Sequence, residues 1–305
     1  VFLVTGGAGF IGSHLVEALL ADGHPVRVLD DLSTGKPENL PAAAELVVGD
    51  AADRALLATA VHGVSGIFHL AAIASVARGN EDWPGTHRAN LGATVAVLDA
   101  ARGGEQRLPV VYASSAAIYG DTQGAPASEA MMPAPLTAYG ADKLGCELHA
   151  RVARLVHGVP TLGLRFFNVY GPRQDPLSPY SGVISIFARA VARGLPVTLH
   201  GDGLQTRDFV FVADVVAHLR AAMRLLREAP ESPARVYNVC TGREVSVRDL
   251  LELLAALRGT AVRPLHGPAR AGDIRHSRGV PAAAQAALGV RADVRLRDGL
   301  ATLLG

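Results

Sequence analysis

Short, almost uniformly apolar runs at residues 1–5, 26–29, 66–70, 110–113 and 161–165 alternate with longer stretches of helical period at 12–22, 52–61, 87–102 and 139–157. A strand buried on one face only alternates apolar with polar residues; these runs do not, so both faces of their sheet are covered. Strands alternating with helices at this rhythm predict βαβ units, and hence an α/β fold built on a doubly wound parallel sheet. After Asn168 the pattern changes to Pro- and Gly-rich chain at 170–182, a helix over 183–193, a strand over 197–200 and an apolar stretch at 208–212. This shift predicts a nucleotide-binding domain at 1–167 and a smaller C-terminal substrate-binding domain at 168–305. A helix over 215–226 and a strand over 236–240 suggest that about 208–240 returns to the first sheet. Residues 246–258 place Leu250, Leu251, Leu253, Leu254 and Leu257 on or near one helical face, and the Ala- and Arg-rich tail has no strong period.

Composition narrows the class. Of 305 residues 49% are hydrophobic and 19% charged, the profile of a compact enzyme rather than a disordered chain. A formal net charge of +1 provides no electrostatic footprint for nucleic acid or an anionic membrane, so any phosphate recognition is local. Cys146 and Cys240 lie in helical and strand segments without a CxxC or a histidine cluster, which argues against a disulfide framework or a metal site. The opening strand replaces a signal peptide and no apolar run approaches the length of a membrane span, so the expectation is a cytoplasmic protein. Only two of the 29 basic residues, Lys36 and Lys143, are lysines. A lysine kept in such a background can mark a site that needs a compact ammonium.

The first strand runs directly into TGGAGFIG at residues 5–12, a strand, glycine turn and helix start. Glycines there permit the tight turn, let backbone N–H groups approach a pyrophosphate, and let the helix pack closely on the strand, as in a Rossmann dinucleotide site. The second strand ends in Asp30, with Asp31 following. A carboxylate at that place accepts from the adenosine ribose hydroxyls and repels a 2′-phosphate, which favours NAD over NADP. Asp50, after a third strand, falls near the adenine, and His69-Leu70-Ala71-Ala72 closes a fourth strand with small residues past which a cofactor can run.

Tyr139 and Lys143 are four apart on a helix and so share a face. A phenol is ordinarily a poor base at neutral pH; a lysine ammonium one turn away, with an oxidised nicotinamide, would stabilise the phenolate so that it could take a proton from a substrate hydroxyl. Ser114 and Ser115 close another strand at its carboxyl end, where ligands of such sheets sit. A serine there either binds the reacting hydroxyl or satisfies turn backbone.

In their fixed order, TGGAGFIG at 5–12, DDLSTG at 30–35, SSAAIYG at 114–120, YGADK at 139–143 and LRFFNVYG at 164–171 resemble the UDP-sugar 4-epimerase branch of the extended short-chain dehydrogenases over almost the whole chain. The resemblance implies Ser115, Tyr139 and Lys143 as the catalytic set. Around NAD it implies Gly6, Gly9, Phe10, Ile11, Gly12, Asp30, Asp31, Ser33, Thr34, Gly35, Asp50, Ala51, Leu70, Ala71, Ala72, Asn90 and Phe166, with Tyr139 and Lys143 shared. For a UDP-sugar it implies Ser75, Ser115, Asn168, Val183, Leu199, Arg207, Arg270, Asp273 and Ser277. Arg207 and Arg270 are the diphosphate arginines, suited by their planar forks, and Asp273 the ribose acceptor.

The implied reaction is C4 epimerisation through a transient 4-keto sugar, with NAD as a recycling cofactor. Related dehydratases carry an acid just after the strand-end hydroxyl, whereas Ser115 precedes Ala116 and Ala117. In the family the position of Ser277 flanks the sugar C2 substituent, and a small residue there leaves room for an acetamido group. This and the surrounding run suggest UDP-N-acetylglucosamine and its C4 epimer, with UDP-glucose as the further candidate, and a place in bacterial polysaccharide synthesis. A UDP-uronate 4-epimerase, another nucleotide-sugar oxidoreductase, and a non-catalytic NAD-sensing protein stay open as alternatives. The helices at 87–102 and 139–157 match those that form a homodimer interface in relatives.

Overall fold

The computed structural model describes residues 1–74, 76–104, 106–175, 182–269 and 274–304. Its centre is a seven-stranded parallel sheet of β1 (Phe2–Thr5), β2 (Val26–Asp30), β3 (Glu45–Val48), β4 (Gly66–His69), β5 (Val110–Ser115), β6 (Thr161–Phe166) and β11 (Arg235–Val239), in the order β11-β6-β5-β4-β1-β2-β3. The chain leaves β1 toward β3 on one side and returns beside β1 as β4. This reversal opens a crevice at the carboxyl ends of β1 and β4, where doubly wound sheets bind their ligands.

Residue alternation along the strands explains the two covered faces. Phe2 and Val4 point into a core with Leu15, Val16 and Leu19 of α1 (Phe10–Ala21) and with Val215, Leu219 and Met223 of α8 (Val212–Glu228). Leu3 points the other way, into a core with Leu57 of α2 (Arg54–Ala60), Val97 of α5 (Ala93–Ala101) and Cys146 and Ala150 of α6 (Ala138–His157). Truncating a core leucine such as Leu3 to alanine costs about 2–5 kcal/mol, so this patterning strongly holds the sheet.

The helix expected over 87–102 is interrupted. After α3 (Val76–Glu81) and α4 (Trp83–His87), residues Arg88–Gly92 form a wider π turn before α5, and Asn90 sits in it fully buried. Such bulges displace one residue from the regular helical face, which periodicity cannot reveal.

Beyond β6 the chain builds a second core. Ile184 and Phe187 of α7 (Val183–Arg193), Leu250 and Leu254 of α9 (Val247–Arg258), Leu300 of α11 (Leu296–Ala301), Tyr170 and Phe209 pack together. Three two-stranded sheets frame it: β7 (Asn168–Tyr170) with β10 (Phe209–Phe211), β8 (Thr198–His200) with β13 (Leu265–Gly267), and β9 (Thr206–Arg207) with β12 (Val245–Ser246). Within 208–240 only β11 joins the large sheet, beside β6, while α8 packs on it and β10 pairs elsewhere. The tail without clear period forms α10 (Ala282–Leu288) and α11; Ala284 and Leu288 of α10 belong to the first core. Among the described residues no helix is long and apolar enough to cross a membrane.

Candidate active site

At the crevice, β1 ends in Thr5 and Gly6 turns the chain with φ +71°, a conformation that strains residues bearing a Cβ. A Cβ on Gly6 would lie 2.7 Å from the amide nitrogen of Ala71, and one on Gly12 would lie 2.1 Å from the carbonyl oxygen of Gly6. Both glycines are therefore required by close approach, and Gly12 serves by packing helix on turn. No side chain caps α1 at Gly9, so the first-turn amides of Phe10, Ile11 and Gly12 face the crevice uncapped. That cradle fits a dinucleotide pyrophosphate.

Asp30 ends β2 buried, and its carboxylate accepts from the amides of Ala8 and Leu32, both at 2.9 Å. Burial raises its pKa above the ordinary carboxylate value, and the Leu32 and Ala8 hydrogen bonds counter this. Two of its roughly four acceptor directions remain for a ribose. Leu32 has φ +59°, a costly conformation for a leucine that the Asp30 bond stabilises. Asp31 accepts from the amide and hydroxyl of Ser33, Thr34 is exposed, and Gly35 packs so close that a Cβ would stand 2.7 Å from the Asp30 carboxylate. Farther along, Asp50 accepts from the Ala52 amide and pairs with Arg88, and Ala51 is buried.

A network absent from the sequence reading lies beneath Leu70, Ala71 and Ala72. The Thr94 hydroxyl donates to the Asn90 carbonyl at 2.8 Å, so it accepts from Nε2–H of His69 at 3.0 Å; Nδ1 of His69 then accepts from Thr5 at 2.7 Å, and Thr5 accepts from the Ala71 amide at 3.3 Å. Burial, with the field of Lys143, holds the His69 imidazole down at about 3, so it is neutral at physiological pH. Asn90 accepts from the Ile73 amide at 2.8 Å and donates to the Ile73 carbonyl at 3.3 Å, fixing the chain after Ala72.

The two strand-end serines part company. Ser114, buried, donates to Glu147 at 2.5 Å and faces away from the crevice. Ser115 accepts from the Ala117 amide at 3.1 Å, opening the 3₁₀ turn Ala116–Tyr119 and leaving its O–H free to donate. Tyr139 lies in the first turn of α6, whose start is capped by Thr137 through a 3.0 Å bond from the Gly140 amide. A Cβ on Gly140 would lie 2.7 Å from the carbonyl oxygen of Ala117, so this glycine lets the Tyr139 turn close on the turn that follows Ser115. Lys143 donates to the Ala113 carbonyl at 2.9 Å, with its ammonium 5.8 Å from the Tyr139 ring centroid. Phe166 ends the neighbouring β6, 8% exposed.

Comparison with known proteins identifies the family. Residues 2–240 match the model of the NAD dependent epimerase/dehydratase family. The chain belongs to that family. A UDP-glucose 4-epimerase of Mycolicibacterium smegmatis is 40% identical over 98% of this chain and 96% of its own. The structure of UDP-glucose 4-epimerase from Thermotoga maritima with UDP-glucose superposes with a TM-score of 0.93 at 35% identity, covering 99% of this chain and 97% of that one. A UDP-N-acetylglucosamine 4-epimerase from Methanobrevibacter ruminantium in complex with UDP-N-acetylmuramic acid also gives 0.93, at 30% identity over 99% and 96%.

For this epimerase/dehydratase chain the residues expected on the substrate side are less uniformly placed. Asn168 is exposed at the start of β7, and Val183, half-buried, opens α7. Arg207 donates to the carbonyls of Thr206 at 2.7 Å and Ile274 at 2.8 Å, tying β9 to the segment that carries Ser277. Ser277 itself is half-buried. Leu199, on β8, is 2% exposed and packs within the second core. Ser75, Arg270 and Asp273 lie outside the described residues. Asp208, which adjoins Arg207, is a further buried acid of this region. Fully buried, it accepts from Thr241 twice and from the amides of Gly242 and Gly279, joining β10 to the Ser277 segment. An acid between Arg207 and an apolar strand is its signal in the sequence.

Proposed function

We propose that this protein interconverts the C4 epimers of a UDP-hexose, with NAD held as a recycling cofactor. The observation that carries the reading is the stacking of Tyr139 and Lys143 on α6 against the end of β5, beside a Ser115 whose hydroxyl proton is uncommitted. Gly6, the amides of residues 10–12, Asp30 and Asn90 would hold NAD. When bound, NAD supplies reversible oxidation of the C4 alcohol, so the overall reaction has no net redox change. Tyr139 takes the proton from O4 and returns it, Lys143 keeps positive charge next to the phenolate, and Ser115 donates to the same oxygen. Arg207, with Arg270 and Asp273, anchors the UDP moiety, so binding energy far from the reacting carbon restrains the nucleotide while the sugar turns.

The names of the relatives favour UDP-glucose as a substrate. The small Ser277 side chain argues that the N-acetylated pair is accepted as well. Incubation with UDP-glucose and UDP-N-acetylglucosamine separately, followed by product separation, tests both statements; conversion of neither sugar would overturn the reading.

The protein works as a homodimer through α5 and α6. Leu148, Val152, Leu155 and Val156 line one face of α6 at helical spacing and are 48–70% exposed, with Val95 of neighbouring α5 39% exposed. A contiguous apolar stripe on two packed helices fits a self-complementary interface with a second copy. Light scattering that gives the mass of one chain would exclude it.

A further inference from the structure

Tyr139, Lys143 and Glu147 recur every four residues along α6, on one face, and that face runs beside the last residues of β5. Lys143 bonds the Ala113 carbonyl and Glu147 accepts from the Ser114 hydroxyl, so successive helical turns grip successive strand residues at 2.9 and 2.5 Å. From β6, Arg165 closes on Glu147 with two parallel bonds, Nε to Oε1 at 2.9 Å and Nη2 to Oε2 at 2.7 Å. Its remaining Nη1 donates to the Tyr119 hydroxyl at 2.8 Å, which donates to Asn238 on β11 at 2.7 Å. The arginine and glutamate side chains are only 5% and 8% exposed.

Placing both charges in the interior costs more desolvation than an apolar pair of the same shape would, so stability alone is a poor reason for this pair. Its geometry offers a better one. Two-pronged contact fixes the glutamate in both distance and rotation, and the glutamate in turn holds Ser114, the residue next to Ser115. The Tyr119 phenol stays protonated as a donor, its pKa pushed up to about 12 chiefly by burial.

We propose that Glu147 and Arg165 are positioning residues that set the register of α6 along β5, and so place Tyr139 and Lys143 relative to Ser115. The proposal rests on the epimerase reading for the reaction it serves. A sliding error of an ångström between helix and strand is enough to cost about 100-fold in rate, without loss of substrate affinity.

Three variants of the NAD-loaded protein test it. Ser114→Ala removes one strut and keeps the ion pair; kcat is expected to fall about 5- to 20-fold while KM for UDP-glucose and Kd for NAD stay within about twofold. Arg165→Met strands the carboxylate and should lower both Tm and kcat. The double variant Glu147→Leu/Arg165→Met should regain most of the lost Tm yet keep kcat at least about tenfold down. Recovery of kcat together with Tm would mean a purely structural pair and would overturn the proposal, as would an unchanged kcat in Ser114→Ala. Should the wild-type protein turn over no UDP-sugar, the proposed function fails instead, and amide hydrogen exchange decides the positioning claim. Faster exchange across residues 139–147 in Ser114→Ala supports the strut, and unchanged exchange refutes it.

Discussion

Lys143 and Tyr139 stand one helical turn apart, the ammonium 5.8 Å from the ring centroid and held by a 2.9 Å bond to the Ala113 carbonyl. The strand carbonyl thus fixes the lysine beside the Tyr139 ring. Tyr139→Phe should lower turnover about 100-fold or more, because the proton acceptor is lost while the ring remains. Lys143→Arg keeps the charge but sends a longer, planar group toward Ala113, and should cost at least about tenfold. Steady-state assays with NAD-binding titrations as folding controls check both; near-normal turnover in either variant contradicts the assigned role.

Asp30 accepts from Ala8 and Leu32 and is the acceptor assigned to the cofactor ribose. Asp30→Ala should weaken NAD binding about tenfold and narrow the preference over NADP, since an acceptor and a repelling charge disappear together. It should also lower Tm, because two amides and the left-handed Leu32 lose their partner. Titrations unchanged for both cofactors would place the ribose elsewhere.

His69 carries a pH dependence whose sign follows from its depressed pKa. The folded protein holds the imidazole neutral down to about 3, whereas the unfolded chain protonates it near 6.5. The unfolded state therefore binds more protons between these values, so stability is full above pH 6.5 and is lost as pH falls toward 3. Between pH 7 and pH 5 this one group removes about 2 kcal/mol. His69→Gln can accept from Thr5 and donate to Thr94 without titrating, and should flatten that difference in urea unfolding at the two pH values. An equally steep loss in the variant would show that other groups govern it.

Ser277→Tyr should suppress turnover of UDP-N-acetylglucosamine far more than of UDP-glucose. The sugars differ at C2, so added volume there penalises the acetamido group by about 1–3 kcal/mol, roughly a 5- to 150-fold change in the ratio of kcat/KM values. The ratio is the proper measure because a general folding defect lowers both terms. Equal losses for the two sugars would remove Ser277 from the C2 pocket.

Much of the architecture was legible locally. The apolar runs marked five of the seven strands of the large sheet at once, and the glycine turn, Asp30 and the Tyr139–Lys143 spacing pointed to a dinucleotide site, because strand period, helix period and turn chemistry are properties of neighbouring residues. The same patterns could not say which of Ser114 and Ser115 meets the crevice. Adjacent strand residues point to opposite faces, and only the packing of α6 decides which face is buried. Nor could they show that β8 turns Leu199 into a core, that Gly140 is needed 2.7 Å from Ala117, or that Asn90 sits in a widened helical turn.

Glu147 of α6 meets Arg165 of β6 across 18 residues through the packing of helix on sheet, and His69 meets Thr5 across 64 through strand order. The sequence by itself determined most of the elements, the parallel sheet and the residue types available for chemistry. The tertiary structure decided partners, because a buried polar group must find whichever donor or acceptor the assembled sheet brings beside it, and no local period records that pairing.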